Sequence, residues 1–255
     1  MLLHVSHLDG TSLSTRAARF GVVGDVHANF ARLDRVLRRL AREPLDAVLL
    51  VGDLGSHDLS YARRRTPERD ARYLASVEEV LRRARDVAER VLYVPGNHDL
   101  PTLDFEGNAD HRVLEVAGVR VGGIGGAGPG RFGFAYEWEE DDVLRRPELD
   151  CDVLLCHAPP ANTALDRLAR SPEHVGSFAI RERAERHRGV LLCGHIHESP
   201  GVVRLNECLC VNAGGLGAPF EADQVALVEL SGRTWSARHE DFLTGRVQEL
   251  ALELA

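Results

Sequence analysis

The sequence predicts an α/β protein with a second, partly antiparallel sheet packed against the first. Short Val- and Leu-rich runs recur along the chain, amphipathic stretches separate them, and the end of the chain is rich in strand-like segments. Runs of four or five apolar residues fit strands buried on both faces. Five such runs stand out: 20–24, 47–51, 91–94, 152–156 and 190–193. Between them the spacing predicts helices over 30–42, 67–89 and 177–188. The first sets Phe30, Leu33, Val36, Leu37 and Leu40 on one face. Pro67 followed by Glu68 and Asp70 marks a helix start. Residues 113–124 read as a hairpin turning at Ala117-Gly118, and 124–133, with five glycines, as a flexible loop. Strand signals return at 202–205, 208–211, 225–228 and 234–235. Leu243, Val247, Leu250 and Leu254 have helical spacing, which predicts a helical tail over 240–255. With no repeat or low-complexity linker, residues 1–255 read as one domain, its motif-bearing part spanning about 20–215.

Composition narrows the function. The 255 residues are 44% hydrophobic and 27% charged, the usage of an ordinary globular protein. All 31 basic residues are Arg against 39 acidic ones, a net charge of −8 that argues against non-specific nucleic-acid coating. Cys151, Cys156, Cys193, Cys208 and Cys210 form no CxxC pair, and three of them sit in apolar runs, as buried thiols in a reducing compartment do. The first twenty residues lack the pattern of a secretory signal, and no apolar stretch approaches a membrane span. These features predict a cytoplasmic protein with no membrane partner.

The polar clusters fall at the strand ends. Asp25 and His27 follow the first run and Asp53 the second. Asn97, His98 and Asp99 follow the third, His157 ends the fourth, and His195 and His197 follow the fifth. The carboxyl ends of strands in open α/β sheets form the crevice where ligands bind. Imidazole with carboxylate suits Mn, Fe or Zn. Seven such groups exceed one tetrahedral ion and suffice for two if a carboxylate bridges, for which Asp53, from the second of five strand ends, is the natural candidate.

Gly24-Asp25-Val26-His27, Gly52-Asp53, Gly96-Asn97-His98-Asp99, His157 and Gly194-His195-Ile196-His197 resemble, in order, the motifs of the calcineurin-like metallophosphoesterases. Each motif alone is weak; five in order, each at a strand end, are specific. The resemblance implies an αββα sandwich of two mixed sheets flanked by helices. It implies that Asp25, His27 and His197 hold one divalent ion and Asn97, His157 and His195 a second, with Asp53 and a hydroxide bridging them. His98 would act on the substrate phosphate as a catalytic group, and Asp99 would orient the His98 ring. The implied reaction is hydrolysis of a small phosphoester, nucleotides among the candidates, by the bridging hydroxide, with diesters favoured. Two Mn ions are the first expectation, with Fe, Zn or Ni as alternatives.

Competing readings are bland or close. Asp25 or Asp53 alone would be a turn residue, Asn97 after Gly96 an ordinary turn signal, and His157 a core imidazole. Within the enzyme class the rivals are a phosphomonoesterase and a protein phosphatase. The second is disfavoured because Leu54-Gly55-Ser56-His57-Asp58 replaces the Arg-containing run that resemblance would require. A scaffold retaining the fold predicts lost ligands, and a nuclease predicts a basic groove. Asn29 reads as a helix cap, and 212–215 as a supporting turn. His57 and Arg63 to Arg65 read as solvated, in preference to lining the cleft or clamping an anion. His4, His7, His111, His174, His187 and His239 read as surface groups. The Arg-rich stretch 63–90 is expected to wall or cover the site. Oligomeric state is open.

Overall fold

The computed structural model describes residues 16–57, 65–218 and 220–254. His4, His7, Arg63 and Arg64 lie outside them. One sheet has the order β12-β11-β10-β1-β2-β3, from Val247–Glu253, Thr234–Asp241, Gln224–Ser231, Ala18–Val23, Ala47–Leu50 and Arg90–Tyr93. The other runs β4-β5-β6-β7-β9-β8, from Val113–Val116, Val119–Ile124, Val153–Cys156, Gly189–Cys193, Cys208–Asn212 and Gly201–Leu205. β1, β2 and β3 are parallel, as are β5, β6, β7 and β9. The remaining ladders are antiparallel, so both sheets are mixed.

Period-two alternation explains the continuous apolar runs. Ala47 and Leu49 face the core between the sheets, while Val48 and Leu50 face α1 (Phe30–Leu40) and α2 (Pro67–Arg85). Val153 and Leu155 join the central core, and Leu154 and Cys156 face the layer holding α3 (Glu140–Leu144) and α4 (Phe178–Arg186). Both faces of each central strand are covered, which is the αββα sandwich expected. Caps set the helix starts. Asn29 Oδ1 accepts from Arg32 N at 3.3 Å, as expected of a cap. Thr66 Oγ1 accepts from Arg69 N at 3.3 Å, and Ser177 Oγ from Ile180 N at 3.1 Å. α2 turns Tyr73, Val77, Val80, Leu81 and Ala84 into the outer core and is therefore a structural layer of the sandwich.

Three expectations are corrected. The five motif strands do not share one sheet: β1 to β3 lie in the first, β6 and β7 in the second. The strand-rich end likewise divides, β8 and β9 joining the second sheet and β10 to β12 the first. The tail over 240–255 is not helical. Residues 247–253 form β12, pairing Leu252 with Trp235 and Leu250 with Ala237. Leu250, Leu252 and Leu254 also alternate at period two, and the open edge of β11 supplies a full ladder of partners that a short isolated helix lacks. Leu252 is buried in the central core and Leu254 packs against it.

Candidate metal centre

Loops from both sheets meet at one edge and are stitched together through backbone bonds. Asp25 N donates to Gly52 O at 3.1 Å, His27 N to Asp53 O at 2.8 Å and Ala28 N to Leu54 O at 3.0 Å. Leu216 N and Gly217 N both donate to Asp25 O, at 3.1 and 2.8 Å. The turns are tight enough that Asp25, His27, Asp53 and His195 adopt φ of 48°, 45°, 52° and 68°, the left-handed region that costs a non-glycine residue free energy. Glycine is required where the backbone abuts the carboxylates. A Cβ on Gly96 would overlap Asp53 Oδ1, and one on Gly194 would overlap Asp25 Oδ2. This accounts for the glycine that precedes Asn97 and the one that precedes His195.

Asp25 and Asp53 each have one oxygen tied to backbone and one left for the imidazoles. Asp53 Oδ1 accepts from His98 N at 2.9 Å, while Oδ2 lies 3.5 Å from His27 Nε2, 3.5 Å from His157 Nε2 and 3.9 Å from His98 Nε2. Asp25 Oδ2 accepts from His195 N at 2.9 Å; Oδ1 stands 3.0 Å from His197 Nε2 but makes no hydrogen bond. His157 Nδ1 donates to Val51 O at 2.8 Å, which turns Nε2 inward, 2.9 Å from Asn97 Oδ1. Among the described residues, ligand atoms of Asp25, His27 and His197 lie within 4.8 Å of one another, as do those of Asp25, Asp53 and His157. His195 joins neither group, though its ring centroid is 5.0 Å from that of His157.

The electrostatics follow from burial and proximity. Burial holds the His27 ring down to about 4, and burial beside His157 holds His195 at about 3, so both are neutral. Burial also disfavours a charged His157, but Asp53 and Asp25 outweigh it and raise that ring to about 9. His197 is raised by Asp25 in the same way, against burial. Burial opposes ionisation of Asp25 and Asp53, yet the neighbouring imidazoles hold both below the usual carboxylate range. Two anionic carboxylates thus face neutral and cationic rings at one buried edge; once the cationic rings give up their protons, carboxylate and imidazole donors of this kind suit divalent cations.

Several readings of individual residues change. No hydrogen bond joins the Asp99 carboxylate to the His98 ring. The carboxylate accepts from Leu54 N at 3.0 Å, Gly55 N at 3.3 Å, Gly96 N at 2.9 Å and Tyr73 Oη at 2.8 Å, so its lone pairs are spent on holding the loops together. His98 Nδ1 is buried without a hydrogen-bond partner. His57 lies over the cleft, its ring stacked on His27 with centroids 4.4 Å apart. His239 is buried within β11 rather than on the surface. Arg65 pairs with Asp70 at 2.7 Å. Asn212 supports the site as expected: Nδ2 donates to Leu165 O and Ile196 O at 3.1 and 2.9 Å, and Oδ1 accepts from Gly214 N at 2.8 Å. Tyr73, Phe132 and Phe134 were not marked by any motif. Phe134 sits 4.2 Å, centroid to centroid, from His98; the only hint in the sequence is two aromatics flanking a glycine at the end of a glycine-rich loop.

This fold and this edge define a metallophosphoesterase-type protein: the chain belongs to the calcineurin-like phosphoesterase family, whose model matches residues 18–199. A similar protein is the uncharacterized protein MJ1162 of Methanocaldococcus jannaschii, 30% identical over 150 residues that cover 52% of this chain and 69% of that one. One crystal structure superposes with a TM-score of 0.63 at 16% identity, covering 93% of this chain and 100% of the other. TT1561 of Thermus thermophilus gives 0.52 at 15%, covering 92% and 99%. A Vps29 single mutant from Entamoeba histolytica gives 0.50 at 15%, covering 93% and 99%. These structures share the fold.

Proposed function

We propose that the protein is a dinuclear-metal phosphoesterase acting on small phosphoesters, with diesters preferred over monoesters. The observation that carries this reading is Asp53: one oxygen is anchored by His98 N, and the other faces His27, His157 and His98 within 3.9 Å. A carboxylate oxygen presented between His27, from one proposed ligand set, and His157, from the other, is what a bridging ligand requires. The donor atoms suit the ions: Asp25 Oδ1 and His197 Nε2 converge at 3.0 Å without the directionality of a hydrogen bond, as groups aimed at a common third atom would. Asp25, His27 and His197 would hold one ion and Asn97, His157 and His195 the other, with Asp53 shared; Mn is the first expectation. When bound, such a pair supplies Lewis acidity and an acidified water.

The chain's own residues do the rest. His98, 21% exposed, stands at the mouth of the site with Nε2 toward Asp53, placed to donate a proton to a leaving oxygen. Asp99 acts as a positioning residue that fixes the backbone at Leu54, Gly55 and Gly96. The diester preference rests on likeness to small bacterial family members. Five free, buried cysteines suit the reducing cytoplasm, and no helix among the described residues is long and apolar enough to cross a membrane.

Metal-stripped protein reloaded with Mn is assayed on bis(p-nitrophenyl) phosphate and on p-nitrophenyl phosphate, with His98→Ala as the contamination control. Metal-dependent turnover that disappears in the control supports the hydrolase, and the rate ratio decides between diester and monoester. Two bound ions with no turnover of either would favour a binding role.

A further inference from the structure

The rings above the metal centre continue outward. His27 stacks on His57 at 4.4 Å, and His98 meets His57 edge-on at 5.6 Å. On its other side His98 is 4.2 Å from Phe134, and Phe134 is 5.6 Å from Phe132. Phe132 is 67% exposed, an apolar ring standing in water at the end of that series.

The loop that carries these two rings is held in place. Phe132 N and Gly133 N donate to the Glu137 carboxylate at 3.1 and 2.8 Å. Trp138 Nε1 donates to Gly125 O at 2.8 Å and Trp138 N to Ala127 O at 3.2 Å. Tyr136 N donates to Asn97 O at 3.0 Å, tying the aromatic loop to the loop that carries Asn97 and His98. The expected flexible loop is thus braced from both ends. A braced loop that holds the Phe132 ring out in water, backed by the half-buried Phe134, exposes apolar area with no gain to folding, whereas beside a phosphate site that ring gains from stacking on a planar group.

We propose that Phe132 and Phe134 form a stacking platform for an aromatic group carried by the phosphoester, a nucleobase in a nucleotide substrate. The platform rests on the phosphoesterase reading for the position of the phosphate and adds the class of organic group beside it. Because every base has a π-face, two phenyl rings would accept bases without selecting strongly among them. The pair determines specificity; it takes no part in bond breaking.

The test is equilibrium binding to Mn-loaded protein by calorimetry, comparing adenosine monophosphate with ribose 5-phosphate. The ratio of their dissociation constants cancels any change in phosphate affinity. In the unmodified protein the nucleotide should bind about tenfold or more tightly, the contribution of one base stack. Phe132→Ala should cut that ratio severalfold, and Phe132→Ala with Phe134→Ala should bring it close to one. If the double variant folds poorly, Phe132→Ala decides alone, since that side chain is exposed. Equal binding of the two ligands to the unmodified protein, no binding of the nucleotide, or a ratio that survives Phe132→Ala would each overturn the platform, the last two leaving these rings to another partner. The hydrolase reading fails separately: a strong nucleotide preference with no turnover of either nitrophenyl ester would sink the enzyme and keep the platform.

Discussion

The phenol of Tyr73, on the inner face of α2, donates to Asp99 Oδ1 at 2.8 Å and accepts from Leu100 N at 3.2 Å. Through Asp99 it reaches the backbone of Leu54, Gly55 and Gly96, so one helix of the outer layer braces two loops of the candidate metal edge. Tyr73→Phe leaves a buried carboxylate short of one donor and should cost about 1–3 kcal/mol. Asp99→Ala orphans three buried amides and should cost more. Thermal unfolding of the metal-free proteins measures both, and an unchanged Tm for Asp99→Ala would contradict the bracing role.

Asp53→Asn keeps the size of the side chain and removes its charge. Metal affinity should drop by about 100-fold or more, with turnover lost in parallel. Metal analysis after gel filtration checks it; two retained ions at full rate would refute the shared-ligand assignment.

His98→Ala should separate binding from catalysis. Metal content stays at the level of the unmodified protein while kcat falls by about 10²–10⁴, the usual contribution of a positioned acid. Loss of ions from this variant would make His98 a ligand.

Metal uptake should depend on pH through His157. Its ring stays protonated up to about 9 in the metal-free protein, and coordination needs the neutral form. Apparent affinity should therefore rise about tenfold per pH unit up to pH 9, with a proton released on binding at neutral pH. Calorimetry in buffers of different ionisation enthalpy reads that proton, and a pH-independent affinity would speak against the assignment. Stability of the metal-free protein follows the same groups. The His157 contribution is complete below its unfolded value of 6.5 and disappears as pH rises through 9. His27 and His195, held near 4 and 3, act oppositely: the unfolded chain takes up their protons first, so stability also falls below 6.5.

Gly96→Ala tests the contact between backbone and carboxylate. An added methyl would meet Asp53 Oδ1, so the variant should lose metal affinity even though no ligand has been altered. Equal metal content in this variant and the parent would show that the loop can yield.

Periodicity and motif order were enough for the α/β class, the central strands, the helix starts at Asn29 and Pro67 and the convergence of Asp25, Asp53, His157 and His197. Those features carry local signals: alternation within a strand, a cap beside a helix, a glycine beside a candidate ligand. Which sheet each strand joins was not legible, because a buried strand reads the same in either sheet. The last strand illustrates the limit. Its apolar spacing is ambiguous: Val247, Leu250 and Leu254 satisfy a helix while Leu250, Leu252 and Leu254 satisfy a strand, and only the open edge of β11 chose between them. Asp99 shows the same thing at the site. Its neighbour in sequence is His98, but its hydrogen bonds go to Tyr73, Leu54, Gly55 and Gly96, because a buried carboxylate binds the donors that the folded chain brings within reach. The placement of His57 over His27 and of Phe134 against His98 likewise came from tertiary structure alone: a ring on a loop has no periodicity to betray it, and its neighbours are set by how the loop is anchored.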